Sequence, residues 1–375
     1  MREGILRIGS AAVPYRYGAD CADALCESIE ALRPASAIVA LDEAVLAHAE
    51  PLLRRLERRM PVHPFVITPA EENKRLSLVE SLLDHAVAHG ADRTSVILAM
   101  GGGLVGNVAG LAASLLFRGV RLVHLPTTPV AAFDAVLSLK QGANLAAGKN
   151  LCGAYRAPSL ICCDLSWLVT LSRPQLLTGI TEMAKNVLAV VPSRENAFKE
   201  ALTALPERPV EAFDALFELG LAAKAPLLAT DPHERHEALV FEYGHTVGHA
   251  LEVLSAGAMG HGEAVAWGML AAAEVSAQLG LLDQADVAAH YSLLSALELP
   301  SPCTALGDVD LEALAARLAT DNKRGHIPSS PGSVPMVLLR RLGEPVTDAD
   351  GRPLAPVPLD IAVEAFEKVA ATEVV

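Results

Sequence analysis

The sequence is poor in aromatic residues and in basic ones. Aromatic residues make up 4% of its 375 positions, and 30 Lys and Arg stand against 44 Asp and Glu, a formal net charge of −14. A nucleic-acid interface needs basic patches that face phosphate, so this balance argues against a nucleic-acid partner. A phosphorylated ligand would have to be held by a few cations gathered in one pocket.

The sequence also lacks the patterns of disulfide-rich and membrane proteins. Its six cysteines have no C-x-x-C spacing and are interpreted as small hydrophobic residues in a reducing compartment. The most apolar stretch, residues 96–113, is interrupted by glycines, so no membrane span is predicted. The first ten residues lack the apolar core of a signal peptide. We therefore expect a soluble, cytoplasmic protein.

Short β-branched runs alternate with helical patterns in the first half of the chain. Strands are predicted at residues 37–41, 66–68, 95–99 and 122–125, and helices at residues 43–58 and 76–89. This alternation predicts β-α-β units. After residue 172 the sequence is rich in Ala, Leu and Glu at helical spacing, with long helices at 174–191 and 262–281. We predict two domains: residues 1–172, a nucleotide-binding α/β domain with a parallel sheet, and residues 173–375, mainly α-helical.

A glycine-rich run, Gly-Gly-Gly-Leu-Val-Gly-Asn at residues 101–107, lies between a predicted strand and a predicted helix. Glycines let the backbone approach a pyrophosphate, and the helix N-terminus adds its dipole and free N–H groups. The run is not the standard G-x-G-x-x-G, and a tight β-α turn remains the alternative interpretation. Asp42, Glu71 and Lys74 are predicted to contact the ribose and adenine of a dinucleotide.

The histidines point more specifically to a metal. His245 and His249 are four residues apart, so a helix projects both from one face. Thr246 follows the first of them, which excludes the H-E-x-x-H zinc protease pattern. Glu182 lies upstream and His261 downstream, and one Glu with two His leaves an open position, as in catalytic zinc or cobalt sites. The alternative is that each histidine is a buried or helix-capping residue.

Five cations lie in segments otherwise dominated by Gly, Asn, Thr or apolar residues, and we interpret them as ligand-binding side chains rather than a solvated face. They are Arg118, Lys140, Lys149, Lys185 and Lys323.

Taken together, these segments resemble the dehydroquinate synthase-like sugar-phosphate cyclases over nearly the whole chain. The matching runs are, in order, GGGLVGN, LFRG, PTT, DAVLSLK, GKN, TEMAKN, EYGHTVGHALE and HGEAVAWGM. The resemblance implies an N-terminal NAD-binding α/β domain, a C-terminal helical metal- and substrate-binding domain, and a homodimer. It implies that Glu182, His245 and His261 bind Zn²⁺ or Co²⁺.

The resemblance also implies roles for the other matching positions. The implied NAD contacts are Asp42, Glu71, Lys74, Gly102, Gly103, Asn107, Thr127 and Thr128, where Asn107 replaces an aspartate that is usual in dehydroquinate synthases. The implied substrate contacts are Arg118, which reaches the phosphate from the neighbouring subunit, and Asp134, Lys149, Asn150 and Lys323. The implied catalytic residues are Lys140, Lys185, Glu242 and His249.

Departures from the family pattern indicate the subfamily. Dehydroquinate synthases bind a substrate carboxylate and place an arginine and an asparagine where this chain has Ala238 and Glu242. Loss of a guanidinium removes the bidentate partner of a carboxylate, and a glutamate would repel one. Arg235 lies nearby and could substitute. We expect Glu242, three residues before His245, to share its helical face and to look into the metal site.

The runs FDAVLSLKQ, FEYGHT and DNKRG resemble 2-deoxy-scyllo-inosose synthases of aminoglycoside antibiotic biosynthesis, which act on glucose 6-phosphate. The implied reaction oxidises C4 with NAD, eliminates phosphate after loss of the C5 proton, reduces the ketone, opens the ring and closes a carbocycle by aldol addition. The alternatives are a 2-epi-5-epi-valiolone synthase, a 3-dehydroquinate synthase, a metal-dependent NAD polyol dehydrogenase and a non-catalytic binding protein.

Overall fold

The computed structural model describes residues 1–146, 148–298, 310–321, 323–328 and 330–371; Cys303 and Asn322 therefore lie outside the described residues. The chain divides into two compact units. The first comprises Met1–Ser172, Thr203–Leu221 and Leu228–His233, and the second comprises Arg173–Leu202, Ala222–Leu227 and Glu234–Val375. The assignment of nucleotide binding to residues 1–172 and of metal and substrate binding to residues 173–375 stays a prediction.

The first unit is built on a seven-stranded sheet flanked by helices. Its strands and the adjoining hairpin are β1 (Arg2–Ile8), β2 (Ala11–Gly18), β3 (Ala37–Asp42), β4 (Val62–Ile67), β5 (Val96–Gly101), β6 (Arg121–Pro126), β7 (Lys140–Leu145), β8 (Gly148–Tyr155) and β9 (Leu160–Asp164). The sheet order is β1-β2-β9-β6-β5-β3-β4. Each pair of neighbouring strands in the series β2-β9-β6-β5-β3-β4 is parallel. This pairing confirms the predicted α/β fold with a parallel sheet.

Helices cover both faces of this sheet. They are α1 (Ala22–Glu30), α2 (Leu46–Glu57), α3 (Leu76–Ala88), α4 (Gly103–Leu115) and α5 (Pro129–Phe133). Every residue of β3, β5 and β9 is buried, as expected for parallel strands covered on two sides. Val39 and Leu98 pack with α1 and α2 on one face, while Ile38 and Ile97 pack with α3 and α4 on the other.

The strand predictions misplace β4 and omit β1, β2, β7, β8 and β9. The strand predicted at residues 66–68 is β4, Val62–Ile67, at the sheet edge. Half-buried and exposed positions follow one another along β4, so only its last residues form an apolar run in the sequence. The prediction was therefore wrong in position. The β1–β2 hairpin was not predicted; it is antiparallel, and its outward side chains are exposed, so it has no continuous apolar segment.

The order in which successive strands are added to the sheet reverses at β3. The connection after β3 leads outward to β4, and the next returns to β5 on the opposite side of β3. The carboxyl ends of β3 and β5 therefore form the switch point at which open α/β sheets bind ligands. Asp42 ends β3, and Gly101 ends β5.

After Ser172 the chain is mainly helical, as predicted. The helices are α6 (Arg173–Ala189), α7 (Glu195–Ala204), α8 (Pro209–Thr230), α9 (His245–Leu254), α10 (His261–Gln278), α11 (Gln284–Ser295), α12 (Leu311–Leu318) and α13 (Leu359–Ala370). The long helices predicted at residues 174–191 and 262–281 are confirmed as α6 and α10. Two short antiparallel strand pairs were not predicted: β10 (Ser333–Met336) with β13 (Ala355–Pro358), and β11 (Leu339–Arg341) with β12 (Glu344–Pro345). Among the helices described, none is long and apolar enough to cross a membrane.

Candidate functional site

Three helices of the second unit bring Glu182, His245 and His261 together. Oε1 of Glu182 lies 3.4 Å from Nε2 of His245 and 3.2 Å from Nε2 of His261. One donor atom from each residue lies within 4.8 Å of the others. Glu182 is on α6, and the two histidines begin α9 and α10. The grouping that the spacing suggested is thus present in three dimensions, although the role of these residues as ligands stays a prediction.

Glycines allow these helices to approach closely. A Cβ on Gly268 of α10 would lie 1.9 Å from the carbonyl oxygen of Gly244, and a Cβ on Gly248 would lie 3.1 Å from that of Ala264. A Cβ on Gly262 would lie 2.6 Å from Cα of Thr178 on α6. Larger residues at these positions would push apart the helices that carry the three donor atoms.

Both histidines are oriented by a second contact. Nδ1 of His245 lies 3.1 Å from the carbonyl oxygen of Tyr243, and Nδ1 of His261 lies 3.2 Å from Oε2 of Glu252. A carbonyl oxygen accepts only, so Nδ1 of His245 donates and its Nε2 keeps a lone pair in the neutral ring. This arrangement is typical of metal-bound histidines, whose other nitrogen is held by a carboxylate or a carbonyl group.

The buried carboxyl of Glu182 is ionised and attracts positive charge. Burial opposes ionisation of its carboxyl, but Lys185 and His245 hold the pKa of Glu182 well below its usual range. Burial likewise opposes protonation of His261, yet hydrogen bonds to Glu182 and Glu252 raise the pKa of His261 to about 10. The three donor atoms therefore attract positive charge, and this donor chemistry fits a divalent cation. Lys185 hydrogen-bonds Oε2 of Glu182, which leaves Oε1 towards the histidines.

Glu242 is not on the helix of His245, so the prediction that both share one helical face was wrong. Glu242 ends a short 3₁₀ segment, Glu237–Glu242, and Gly244 separates the two elements with a left-handed φ of 78°. The carboxylate of Glu242 instead lies 3.5 Å from Nζ of Lys323. Lys323 is 2% exposed and also lies 3.2 Å from Asp321, so its contact with Glu242 is not a surface ion pair.

His249 lies beside the donor cluster. Its ring centroid is 5.2 Å from that of His245, in an edge-to-face arrangement. Burial, reinforced by His245 and Lys323, lowers the pKa of His249 to about 3, so its ring is neutral. One of its ring nitrogens can therefore donate a hydrogen bond and the other can accept one.

Sequence reasoning missed four residues around this cluster: Glu252, Asp321, Lys224 and Phe241. Lys224 is 3% exposed, and its Nζ lies 4.9 Å from the centroid of Phe241, while Nζ of Lys185 lies 5.8 Å from the same centroid. Glu252 was detectable, since it stands seven residues after His245 on one face of α9. Ala238 is fully buried and Arg235 is exposed.

The glycine-rich run of the first unit forms the expected turn between β5 and α4. A Cβ on Gly101 would lie 2.8 Å from the side chain of Val105 and 3.0 Å from that of Asp42, so this position requires glycine. A Cβ on Gly103 would meet open space. Asp42 accepts a hydrogen bond from the N–H of Ala44, and burial raises its pKa.

Thr127 and Thr128 follow β6 beside this turn. The N–H of Thr127 donates to the carbonyl oxygen of Gly101 at 3.0 Å, and Thr128 caps α5. The buried hydroxyl of Thr127 has no hydrogen-bond partner among the described residues. Together with the open backbone at Gly103, this hydroxyl fits a ligand at the switch point.

A polar network joins residues that were predicted to contact different ligands. Nζ of Lys74 donates to Oδ1 of Asn150 at 2.6 Å, and Nδ2 of Asn144 donates to the carboxylate of Glu71 at 2.7 Å. The N–H of Asn150 donates to Oδ1 of Asn144. Burial lowers the pKa of Lys74, and nearby Lys149 adds to that effect. Asn144, which sequence reasoning missed, thus connects predicted cofactor and substrate residues.

The remaining predicted residues lie elsewhere in the first unit. Lys140 and Asn107 line a cavity with the glycine turn, and Nδ2 of Asn107 donates to the carbonyl oxygen of Gly103. Asp134 directly follows α5, and its side chain is half-buried. Arg118 is exposed in a left-handed conformation, with a φ of 66°.

Comparison with known proteins gives one consistent result. Residues 64–178 match the 3-dehydroquinate synthase N-terminal family, and residues 179–324 match the 3-dehydroquinate synthase C-terminal family. A 2-deoxy-scyllo-inosose synthase of Micromonospora echinospora is 41% identical over 374 residues, which cover 98% of this chain and 92% of that protein.

Solved structures agree. A 2-deoxy-scyllo-inosose synthase complexed with carbaglucose-6-phosphate, NAD⁺ and Co²⁺ has a TM-score of 0.89 and 31% identity, covering 98% of this chain and 99% of the other. A 2-epi-5-epi-valiolone synthase of Streptomyces hygroscopicus with NAD⁺ and Zn²⁺ has a TM-score of 0.81 and 23% identity, covering 99% of each chain, which establishes a shared fold alone.

Proposed function

The chain belongs to the dehydroquinate synthase-like family of sugar-phosphate cyclases, and from this premise we propose that it converts glucose 6-phosphate to 2-deoxy-scyllo-inosose and phosphate. The observation that carries the proposal is the identity of 41% with a 2-deoxy-scyllo-inosose synthase over 98% of the chain. The reaction involves no net oxidation or reduction, because the carbocycle and phosphoric acid together contain every atom of the sugar phosphate.

Two bound groups belong to this proposal. Glu182, His245 and His261 would hold Zn²⁺ or Co²⁺, and the glycine turn with Asp42, Glu71, Lys74, Thr127 and Thr128 would hold NAD. When bound, the cation supplies a Lewis acid for a substrate oxygen, and NAD takes up and returns a hydride. The donor set of the cluster and the buried hydroxyl of Thr127 support these assignments.

The protein's own residues would orient the substrate and move protons. Lys185 holds one oxygen of Glu182 and fixes the direction of the other. The neutral ring of His249 is suited to hydrogen-bond the substrate or to accept its proton.

The contact between Glu242 and Lys323 favours a substrate without a carboxylate. The charge of Lys323 is compensated by Asp321 and Glu242, so a substrate carboxylate would meet an opposing glutamate there. Hydroxyl groups of glucose 6-phosphate can donate to the same glutamate. Lys140, Lys149, Asn150 and Asp134 are proposed as further catalytic or substrate-binding residues on the strength of the family resemblance.

We also propose a cytoplasmic homodimer in which Arg118 reaches the phosphate bound by the neighbouring subunit. The described cysteines are free thiols, and Arg118 is exposed in a constrained turn. Arg118→Ala and His261→Ala proteins, each inactive alone, should recover activity when their subunits are mixed, because one site of the mixed dimer keeps both residues. Absence of recovery in demonstrably mixed dimers would contradict the shared site.

Phosphate release from three substrates tests the proposed function. Glucose 6-phosphate should release phosphate together with a cyclic ketone. Sedoheptulose 7-phosphate and the phosphorylated precursor of dehydroquinate should release little. Preference for either of these would select the 2-epi-5-epi-valiolone synthase or the 3-dehydroquinate synthase alternative.

A further inference from the structure

His124 on β6 is a buried histidine whose ring has no hydrogen-bond partner among the residues that the structure describes. Its exposed fraction is 2%, and both Nδ1 and Nε2 are buried without a partner. A buried polar group without a partner costs free energy, and such groups are uncommon in folded proteins. Neither the sequence pattern nor the family resemblance assigned a role to this residue.

The ring lies in the cavity that contains the glycine turn. A Cβ on Gly106 would be 3.6 Å from Nδ1 and Cε1 of His124, so the ring faces the first turns of α4. The same cavity is lined by Gly101, Gly102, Gly103 and Asn107. An imidazole without partners thus lies beside a helix N-terminus of the kind that binds dinucleotides.

A second buried histidine shows what a purely structural role looks like in this chain. His290 is fully buried, like His124, and burial lowers the pKa of each ring to about 4. However, Nδ1 of His290 lies 2.7 Å from the carbonyl oxygen of Asp286, and its Nε2 lies 2.8 Å from the hydroxyl of Tyr243. Both ring nitrogens of His290 have a hydrogen-bond partner, whereas neither nitrogen of His124 has one among the described residues.

We propose that His124 is a cofactor-binding residue, whose ring hydrogen-bonds the nicotinamide half of the NAD that occupies the glycine turn. This inference rests on the proposed function, since it takes NAD as the ligand. A neutral imidazole offers one donor and one acceptor. Pyrophosphate only accepts hydrogen bonds, whereas the carboxamide and the ribose hydroxyls both donate and accept, so these groups can satisfy the ring completely.

Binding of NAD and of ADP-ribose to protein freed of nucleotide, measured by titration calorimetry, tests the inference. His124→Leu should weaken NAD binding about tenfold or more, because two hydrogen bonds are lost. His124→Gln, which keeps a donor and an acceptor, should retain part of the affinity. If the ring binds the carboxamide, ADP-ribose should bind the variant and the wild type equally; if it binds ribose, ADP-ribose should also bind the variant more weakly.

Thermal unfolding without nucleotide separates this role from a structural one. His124→Leu should be at least as stable as the wild type, since it removes a buried polar group that had no partner. His290→Leu is the matched control. It should lower the unfolding temperature, because it removes the hydrogen bonds of the ring to Asp286 and Tyr243, and it should leave NAD affinity unchanged.

Unchanged NAD affinity in His124→Leu would overturn the inference, as would a variant that is destabilised as much as His290→Leu or that fails to fold. These measurements use no sugar phosphate. If the wild-type protein bound NAD as expected but had no cyclase activity, that result would therefore contradict the proposed function and leave the inference about His124 intact.

Discussion

The Glu182–His245–His261 cluster of the second unit and the glycine-turn cavity of the first differ in how their buried polar groups are paired. Glu182 contacts both histidines of its cluster, and His245 and His261 each have a further acceptor at Nδ1. The ring of His124 in the cavity and the hydroxyl of Thr127 next to the glycine turn have no partner within the part of the chain described. Side chains can preorganise one another around a small ion, whereas the donors for a large organic ligand must stay available until it binds.

The largest expected effect comes from removing one of the three proposed metal ligands. His261→Ala should bind Zn²⁺ or Co²⁺ more than about 100-fold more weakly, because replacing even an outer partner of a ligand costs roughly 10–100-fold. Chelation should abolish turnover, and either ion should restore it. Equilibrium dialysis against each ion provides the measurement. Unchanged Zn²⁺ and Co²⁺ affinity in His261→Ala would show that this cluster is not the metal site, and full activity of metal-free protein would show that turnover needs no metal.

A smaller effect is expected from the outer partner Glu252. Glu252→Gln should weaken cation binding by roughly tenfold, since a neutral amide holds Nδ1 of His261 less firmly than a carboxylate does. The absorption spectrum of the Co²⁺ form should also change, because the orientation of the imidazole changes. Glu274→Gln is the control, since Glu274 is a more deeply buried carboxylate that contacts Lys368 and Tyr291 instead. Equal cation affinity in both variants would contradict the positioning role of Glu252.

Glu242 should affect turnover rather than metal binding. Glu242→Gln should keep its fold, cation and NAD but lose about tenfold in turnover of glucose 6-phosphate, somewhat less than a typical acid–base group. The matched control is Glu237→Gln, at the exposed start of the same 3₁₀ segment. Steady-state kinetics with phosphate detection distinguishes the two. Wild-type turnover in Glu242→Gln would reduce its contact with Lys323 to a structural role.

The smallest expected effect is on acid stability. Burial lowers the pKa of His124 from 6.5 to about 4, so the unfolded chain binds a proton in that interval that the folded chain does not. Protonation of this ring therefore costs the folded protein no stability above pH 6.5, and the free energy of unfolding falls as the pH drops from 6.5 towards 4. His124→Leu should take up about one proton less on unfolding at pH 5, measured by urea unfolding across this interval. An unchanged pH dependence would mean that the ring titrates normally.

Local patterns predicted the parallel strands β3, β5 and β6 of the first unit, but not β9 or the strand pairs β1–β2 and β7–β8. Continuous apolar runs identified β3, β5 and β6 because parallel strands covered by helices need no polar side. The glycine run marked the switch point, and the four-residue spacing of His245 and His249 placed both on α9. Glu182 and His261 were assigned through the family resemblance, since their distance in the sequence carries no geometric information.

Residues held by long-range contacts could not be predicted in this way. Glu252 acts on a histidine of another helix, and Asn144 connects Glu71 with Asn150 through a hairpin. The error at Glu242 has a local cause. Gly244, with a left-handed φ, lies between the 3₁₀ segment that ends at Glu242 and α9, so residue spacing does not predict the relative direction of the two side chains.

The stoichiometry of the reaction with glucose 6-phosphate tests the central claim most directly. Phosphate and cyclic ketone should form in equal amounts while the absorbance of free NADH stays flat, because a cyclase returns the electrons that it removes. Accumulation of NADH in step with substrate consumption, without phosphate release, would contradict the account and identify a polyol dehydrogenase instead.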